Sequence, residues 1–367
     1  MAITAGYDVG GAHLKVALAE DGRTIAVRQI ACPLWRGMEQ LDAALVEAVA
    51  LIARAEQHAV TMTGELCELF PDRQTGVREI LSHIATELDA DLRVYMGLRG
   101  FADTATAMAD PANVGSMNFL ASAALVARSL PDALLIDMGS TTTDIIPIVS
   151  GTPCPRGLTD GERLSTSELV YTGLTRTDVS VVAQRARFKG HEQRLAAGGF
   201  ANMADVRRML GELPDGVDQH ASLDGRGTSV EESVARFARC FGRDAGDALF
   251  EDWRSAARDI ADRQLTDVRA AIADVLAAAP LSSGAPIVAA GVGAPQVEAM
   301  AHALGRQTLR FGSLANAAPD CEEWATRCAP AVAVALLAKI AAFRTAACAR
   351  LKPSHGRLLA SCTRLHE

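Results

Sequence analysis

Two stretches of the chain share one rhythm of apolar and polar positions. Residues 5–22 read AGYDVGGAHLKVALAEDG: an apolar run reaches Asp8, breaks at Gly10 and Gly11, and resumes at Val16-Ala17-Leu18. Residues 134–148 read LLIDMGSTTTDIIPI: the run reaches Asp137, breaks at Gly139-Ser140-Thr141-Thr142, and resumes after Asp144. Each pattern predicts two short strands about a glycine-bearing turn. Setting Asp8 on Asp137 puts Gly10 on Gly139, Lys15 on Asp144 and Val16 on Ile145. The unit reads as built twice.

Elsewhere the pattern predicts a strand at 24–30, a helix over 38–58, a strand at 59–63, a helix over 77–88, a strand at 92–96 and a helix over 118–129 ended by Pro131. In the second half, helical spacing covers 230–242 and 253–279, a short buried strand covers 287–290, and an alanine-rich closing helix covers 329–347. Strands alternating with helices indicate an α/β protein. The expected organisation is a first lobe over 1–131 completed by the closing helix at 325–350, a second lobe over 132–324, and a tail over 351–367. Residues 184–227, rich in Arg, Gly and Asp, read as an exposed insertion in the second lobe.

A length of 367 residues, 49% hydrophobic, suits two lobes better than one core. The net charge of -8 argues against a broad nucleic-acid footprint. The eight cysteines form no C-x-x-C pair, and no disulfide scaffold is expected; Cys321, Cys328 and Cys348 have no zinc-ligand spacing and read as small buried hydrophobes. No stretch is long enough for a membrane span, and the chain opens on a strand with no signal-like segment. The expectation is a reduced, cytoplasmic protein acting on small molecules, with a homodimer allowed.

The duplicated turn carries the chemistry. Glycines between strands let backbone N–H groups face a bound anion, and the hydroxyls of Ser140, Thr141 and Thr142 add donors. Asp8 and Asp137 at the strand ends repel one another unless a cation lies between them, which Mg²⁺ with a di- or triphosphate would satisfy. Lys15 offers a point charge to the same phosphates. The bland alternative is a pair of plain hairpins. His13 sits in the first turn, either on a phosphate or filling space.

The pair of D-x-G turns resembles the two phosphate loops of the actin-like ATPase superfamily, and residues 287–294, IVAAGVGA, resemble its third, adenosine-side loop through Gly291 and Gly293. The resemblance implies two RNase H-like lobes with the ligand between them. Three further stretches, VTMTGELCELFPDRQTGVREI (60–80), NVGSMNFLASAALVA (113–127) and RGLTDGERLSTSELVYTGLTRTDVS (156–180), together with DVGGAHLK, resemble a hydantoinase A-related family linked to tetrahydromethanopterin-dependent one-carbon transfer. That resemblance implies a synthase of methanofuran biosynthesis. Such a synthase joins a γ-glutamyltyramine phenol to an aminomethylfuran methyl diphosphate and releases pyrophosphate, with Mg²⁺ as cofactor. It further implies a base for the phenol, for which Glu65 is the candidate, against an ordinary acid at a helix start. Arg163, Arg176 and Tyr171 then become candidates to hold the substrate, against a solvated charged surface. Asn118 is either a pocket residue or a helix cap. Two other readings share the fold: an ATP-dependent small-molecule kinase or oxoprolinase-like ATPase, and a non-catalytic nucleotide sensor.

Overall fold

The computed structural model describes residues 2–338. Its organising elements are two sheets. The first runs β3-β2-β1-β4-β5-β6, from β1 (Ile3–Val9), β2 (His13–Glu20), β3 (Arg23–Ala31), β4 (Gln57–Met62), β5 (Leu92–Tyr95) and β6 (Phe101–Ala102). The second runs β10-β8-β7-β13-β14, from β7 (Ala133–Met138), β8 (Thr143–Val149), β10 (Leu169–Val170), β13 (Ile287–Ala290) and β14 (Thr308–Arg310), with the short β9 (Thr152–Pro153) paired to β8.

The sheets follow one plan. In each, an antiparallel hairpin, β1-β2 or β7-β8, sits beside parallel strands that return through helices, β4 and β5 in one, β13 and β14 in the other. The central strands β1 and β13 are buried along their whole length, as strands covered on both faces must be. In the first sheet, Glu39–Ile52 and Arg73–Leu88 bury Leu41, Leu45, Val77 and Ile84 in a core with Tyr7, Val16 and Val60.

The two sheets meet over a shared core. It joins Ala17, Ala19 and Ala59 of the first sheet to Leu135, Ile146 and Val288 of the second, through the helical residues 329–338. The facing positions are small because that helix lies against the strand backbone. A Cβ on Gly6 would fall 2.2 Å from the Ala331 carbonyl oxygen and 2.8 Å from the Ala335 Cβ. The closing helix expected over 329–347 is thus described to residue 338; its remainder and the tail at 351–367 lie outside the described residues.

Residues 184–227, expected as an exposed insertion, keep many exposed positions but also turn one side into a core. The hairpin of β11 (Arg185–Phe188) and β12 (His191–Arg194) and the helix Met203–Leu210 pack with Val230–Cys240 around Phe188, Phe237, Phe241 and Trp253 in a core of their own. Some of the charges of this stretch are paired inside, one of them with an arginine from the following helix. Arg236, fully buried, binds Asp205 at 2.7 Å and Asp224 at 3.0 Å, and Arg207, 1% exposed, binds Glu212 at 2.8 Å. Phe250–Ala278, about 44 Å long at the usual rise, spans two cores. Its first half packs there through Trp253 and Ile260, and its second half packs on the second sheet through Val268 and Ile272. The helix expected over 38–58 stops at Ile52, and the next strand begins at Gln57. No helix among the described residues is long and apolar enough to cross a membrane.

Because Gly6 has no room for a side chain, Gly6→Ala forces the helix off the sheet. Overpacking of this kind costs about 1–3 kcal/mol. The expected result is a lower Tm by calorimetry and a lower urea midpoint with an unchanged slope.

Candidate active site

The duplicated turn is built on one hydrogen-bond scheme. Gly10 N donates to His13 O at 3.0 Å, and Gly139 N donates to Thr142 O at 2.9 Å. Strand register then fixes the rest: Asp8 pairs with Lys15 across the first hairpin and Asp137 with Asp144 across the second. The second turn is braced from behind, where Leu174 N donates to Gly139 O and Arg176 N to Ser140 O, both at 2.9 Å.

Both turns open on one cleft of about 280 Å³ between the sheets. Asp8, Gly10, Gly11, His13 and Lys15 line it from the first hairpin, and Asp137, Gly139, Ser140, Thr141, Thr142 and Asp144 from the second. Asn118, Arg163, Tyr171 and Arg176 line it as well. Three residues named from the sequence do not. Gly291 and Gly293 lie behind β7. Gly291 has φ +81°, and a Cβ there would stand 2.3 Å from Met138 O and 2.4 Å from Asp137 Oδ1. Its glycine is required by close backbone approach beneath Asp137. Glu65 sits one layer back from the wall and is 1% exposed.

The electrostatics turn on Lys15. Its Nζ lies 3.3 Å from Asp8 Oδ2. Burial alone would push the Lys15 ammonium down, but Asp8, Cys328 and Asp137 outweigh it and hold it above its usual range. Asp8 is 2% exposed, and burial raises its carboxyl despite Lys15; its Oδ1 has no hydrogen-bond partner among the described residues. Burial also pushes the Asp137 carboxyl up to about 7, with Lys15 opposing and Asp144 and Asp8 adding to the rise. Asp144 binds Arg163. At the two hairpins Asp8, Asp137 and Asp144 thus stand with Lys15 and Arg163, while Glu68, Asp160 and Arg176 also line the cleft, and Asp137 lacks an ion pair among the described residues.

Arg163 is not a free grip for substrate. It is 2% exposed, held by Asp144 and the Glu168 carbonyl, with its guanidinium 3.6 Å from the centre of the Phe119 ring. Arg176 stands 4.7 Å over the Trp35 ring and has no ion pair among the described residues. Asn118 does not cap its helix. Met117 holds the cap position, and the Asn118 side chain accepts from Phe119 N at 2.9 Å. His13 is 4% exposed; burial, then His220, Lys15 and Arg176, keep its imidazole neutral.

Sequence reasoning missed four residues here. Trp35 and His220 form an aromatic rim with His13: the His220 ring is 4.6 Å from that of His13 and 5.7 Å from that of Trp35. The loop carrying His220 is fastened to the first sheet, with Gln219 Nε2 donating to Gln29 O at 3.0 Å. Asp160 and Ser116 line the cleft opposite. Asp160 binds Arg73 at 2.8 Å, and the Ser116 hydroxyl donates to Glu65 Oε1 at 2.7 Å. Burial pushes the Glu65 carboxyl up to about 7 against that hydrogen bond. A three-ligand grouping that could hold a metal, Asp42 with His83 and Glu87, joins Glu39–Ile52 to Arg73–Leu88 and is not part of the cleft wall.

Two sheets of this plan with a cleft between them make an α/β fold. The chain belongs to the hydantoinase/oxoprolinase family, an enzyme family whose profile matches residues 56–315. It is 31% identical over 241 residues to the (4-{4-[2-(gamma-L-glutamylamino)ethyl]phenoxymethyl}furan-2-yl)methanamine synthase of Methanocaldococcus jannaschii, covering 64% of this chain and 70% of that one. It is 34% identical over 108 residues to the synthase of the same name from Methanococcus vannielii, covering 29% of this chain and 48% of that one. Among solved structures, nucleotide-free acetone carboxylase superposes with a TM-score of 0.58 at 11% identity, over 90% of this chain and 70% of that one, a likeness of fold.

The Glu65 carboxyl gives a sign-defined test. A raised acid pKa means that the folded chain holds the proton more tightly than the unfolded chain. The stability this contributes is full below the ordinary value of 4.5 and is lost as pH rises through about 7. Glu65→Gln, which cannot ionise, should gain on the wild type by roughly 2–3 kcal/mol between pH 5 and pH 8. Urea unfolding at the two pH values measures it.

Proposed function

We propose that this protein is a transferase of methanofuran biosynthesis, or of its bacterial analogue. It would join the phenol of γ-glutamyltyramine to (5-aminomethylfuran-3-yl)methyl diphosphate, forming an aryl ether and releasing pyrophosphate. The observation that carries the reading is the convergence of both glycine turns, Lys15 and the under-neutralised Asp137 on one cleft. The relatives support it, because the product in their names is an aryl ether between these two halves.

A diphosphate ester at a furan-bearing methylene leaves readily once charge developing on the departing oxygens is met. Lys15, the turn backbones and the hydroxyls of Ser140, Thr141 and Thr142 stand where a diphosphate would lie between the turns. The residues also fit Mg²⁺: Asp8 keeps an unpartnered buried oxygen, and Asp137 gains from a nearby cation. Asp8 and Asp137, directly or through water, would hold the ion, which would supply neutralising charge to the leaving group. Trp35, Leu66, Leu169 and Tyr171 give the cleft apolar walls suited to furan and phenol rings. Arg176, on the cleft wall, would meet a carboxylate of the glutamyl tail.

A second reading, ATP-dependent phosphoryl transfer or an oxoprolinase-like ATPase, is favoured by the fold alone, and fold leaves function open. The two differ in one tube. Purified protein with both substrates and Mg²⁺, without ATP, should release pyrophosphate and form the ether, followed by mass spectrometry. Lys15→Met should lower kcat by about 10²–10³, the scale for losing one preorganised charge-stabilising donor. ATP hydrolysis with no ether would replace the transferase reading with the second.

A further inference from the structure

The transferase reading leaves the phenol proton without a destination. Glu65 is the natural carboxylate, but it does not reach the cleft wall. Ser116 stands between them. It lines the cleft, and its hydroxyl donates to Glu65 Oε1 at 2.7 Å. The second Glu65 oxygen is buried with no hydrogen-bond partner among the described residues.

The backbone at Ser116 is strained to make this contact. Its φ is +55°, a left-handed conformation that a non-glycine residue adopts at a cost. The turn that places it is anchored by a bridge between Gly115 and Met62, at the end of β4. Strain of this kind persists only where surrounding structure imposes it. Here it aims one small hydroxyl at a buried carboxylate from the ligand side.

We propose that Ser116 meets the acceptor's phenol hydroxyl and relays its proton to Glu65. The inference rests on the transferase reading and adds a catalytic residue to it. In the step, the phenol O–H gives its proton to Ser116 Oγ while the Ser116 proton passes to Glu65 Oε1. The phenol oxygen forms the new C–O bond to the methylene carbon, and the bond from that carbon to the diphosphate oxygen breaks, its electron pair leaving with pyrophosphate. Glu65 ends as a neutral carboxylic acid. The geometry suits it to that form: burial dominates its environment, the Ser116 hydrogen bond and then Arg73 on the neighbouring helix oppose, and Asp160 beside Ser116 adds repulsion to the ionised state. The Ser116 hydroxyl also lies 3.5 Å from Asp160 Oδ2, a longer contact than the one to Glu65.

The test uses the full chain and both substrates. Ser116→Gly removes the hydroxyl and suits the left-handed backbone, so its Tm should equal or exceed that of the wild type. Its kcat for ether formation should fall about a hundredfold or more, the usual scale of general-base catalysis. Binding of pyrophosphate with Mg²⁺ should be unchanged. In the wild type, kcat/KM should rise with pH to a plateau with an inflection near 7, where Glu65 ionises. That inflection should vanish in both Ser116→Gly and Glu65→Gln. A ring-fluorinated acceptor with a more acidic phenol should recover most of the lost rate in both variants, which a merely structural role would not allow. Wild-type ether formation with Ser116→Gly within a few-fold of it, or loss without rescue by the acidic phenol, overturns the relay alone. Absence of ether with the wild type overturns the transferase reading and the relay with it.

Discussion

One lysine among three carboxylates sets the terms for this cleft. Strand register makes it unavoidable: with Gly10 and Gly139 each closing the same turn, Asp8 must face Lys15 and Asp137 must face Asp144. Arg163 takes Asp144 and Lys15 takes Asp8, which leaves Asp137 in a buried place that favours its proton. A buried site with too much negative charge is costly unless a cation enters. An anion alone would worsen the imbalance. On the proposed reading a divalent cation entering with the diphosphate would lie beside Asp8 and Asp137, where charge is least compensated, and would keep the ligand from adding to the excess.

That charge arrangement holds only if the sheets do not drift apart. The small residues of the first sheet matter here as much as the acids. Gly6 lies two positions before Asp8 on β1, and the helix at 329–338 rests directly on it. Pro330, on the same helix, is part of the cleft wall, and the buried Cys328 beside it is close enough to feel Lys15. Packing against the sheet and electrostatics in the cleft are therefore two consequences of one close approach. The loop bearing His220, tied to Gln29, closes the same gap from the far side.

The sequence carried the hairpins, because alternation, glycine and acid recur there in the same order, and strand β13 came out with the bounds the pattern predicts. It misled where local composition hides long-range pairing. Residues 184–227 look solvated because they are charged, and many are exposed, yet Arg207 is buried against Glu212 and the distant Gln264, and Asp205 is buried against Arg236 of the next helix. The helix read over 38–58 ran too far because Ala53 and Ala55 continue its apolar rhythm through a turn. Gly291 and Gly293 have the form of a ligand loop, a strand followed by glycines; in the structure Gly291 is crowded by the Met138 backbone and Gly293 by the Met138 side chain. Ser116 lies in a stretch that carries the family resemblance, but nothing in that stretch singles it out. A left-handed serine is a property of the surrounding structure, and a serine in NVGSMN is otherwise unremarked.

Separation of the two charge-handling groups has a physical logic. A carboxylate strong enough to take a phenol proton would, on the cleft wall, compete for the metal and repel the diphosphate. Set behind Ser116, Glu65 is insulated from both while remaining one hydrogen bond from the wall. In the proposed relay, negative charge disappears from Glu65 as it appears on pyrophosphate. The first change relieves a buried ion of its desolvation cost, and the second is met by Lys15 and the turns. Each half of the reaction then moves charge out of the place least able to hold it and into the place built to receive it.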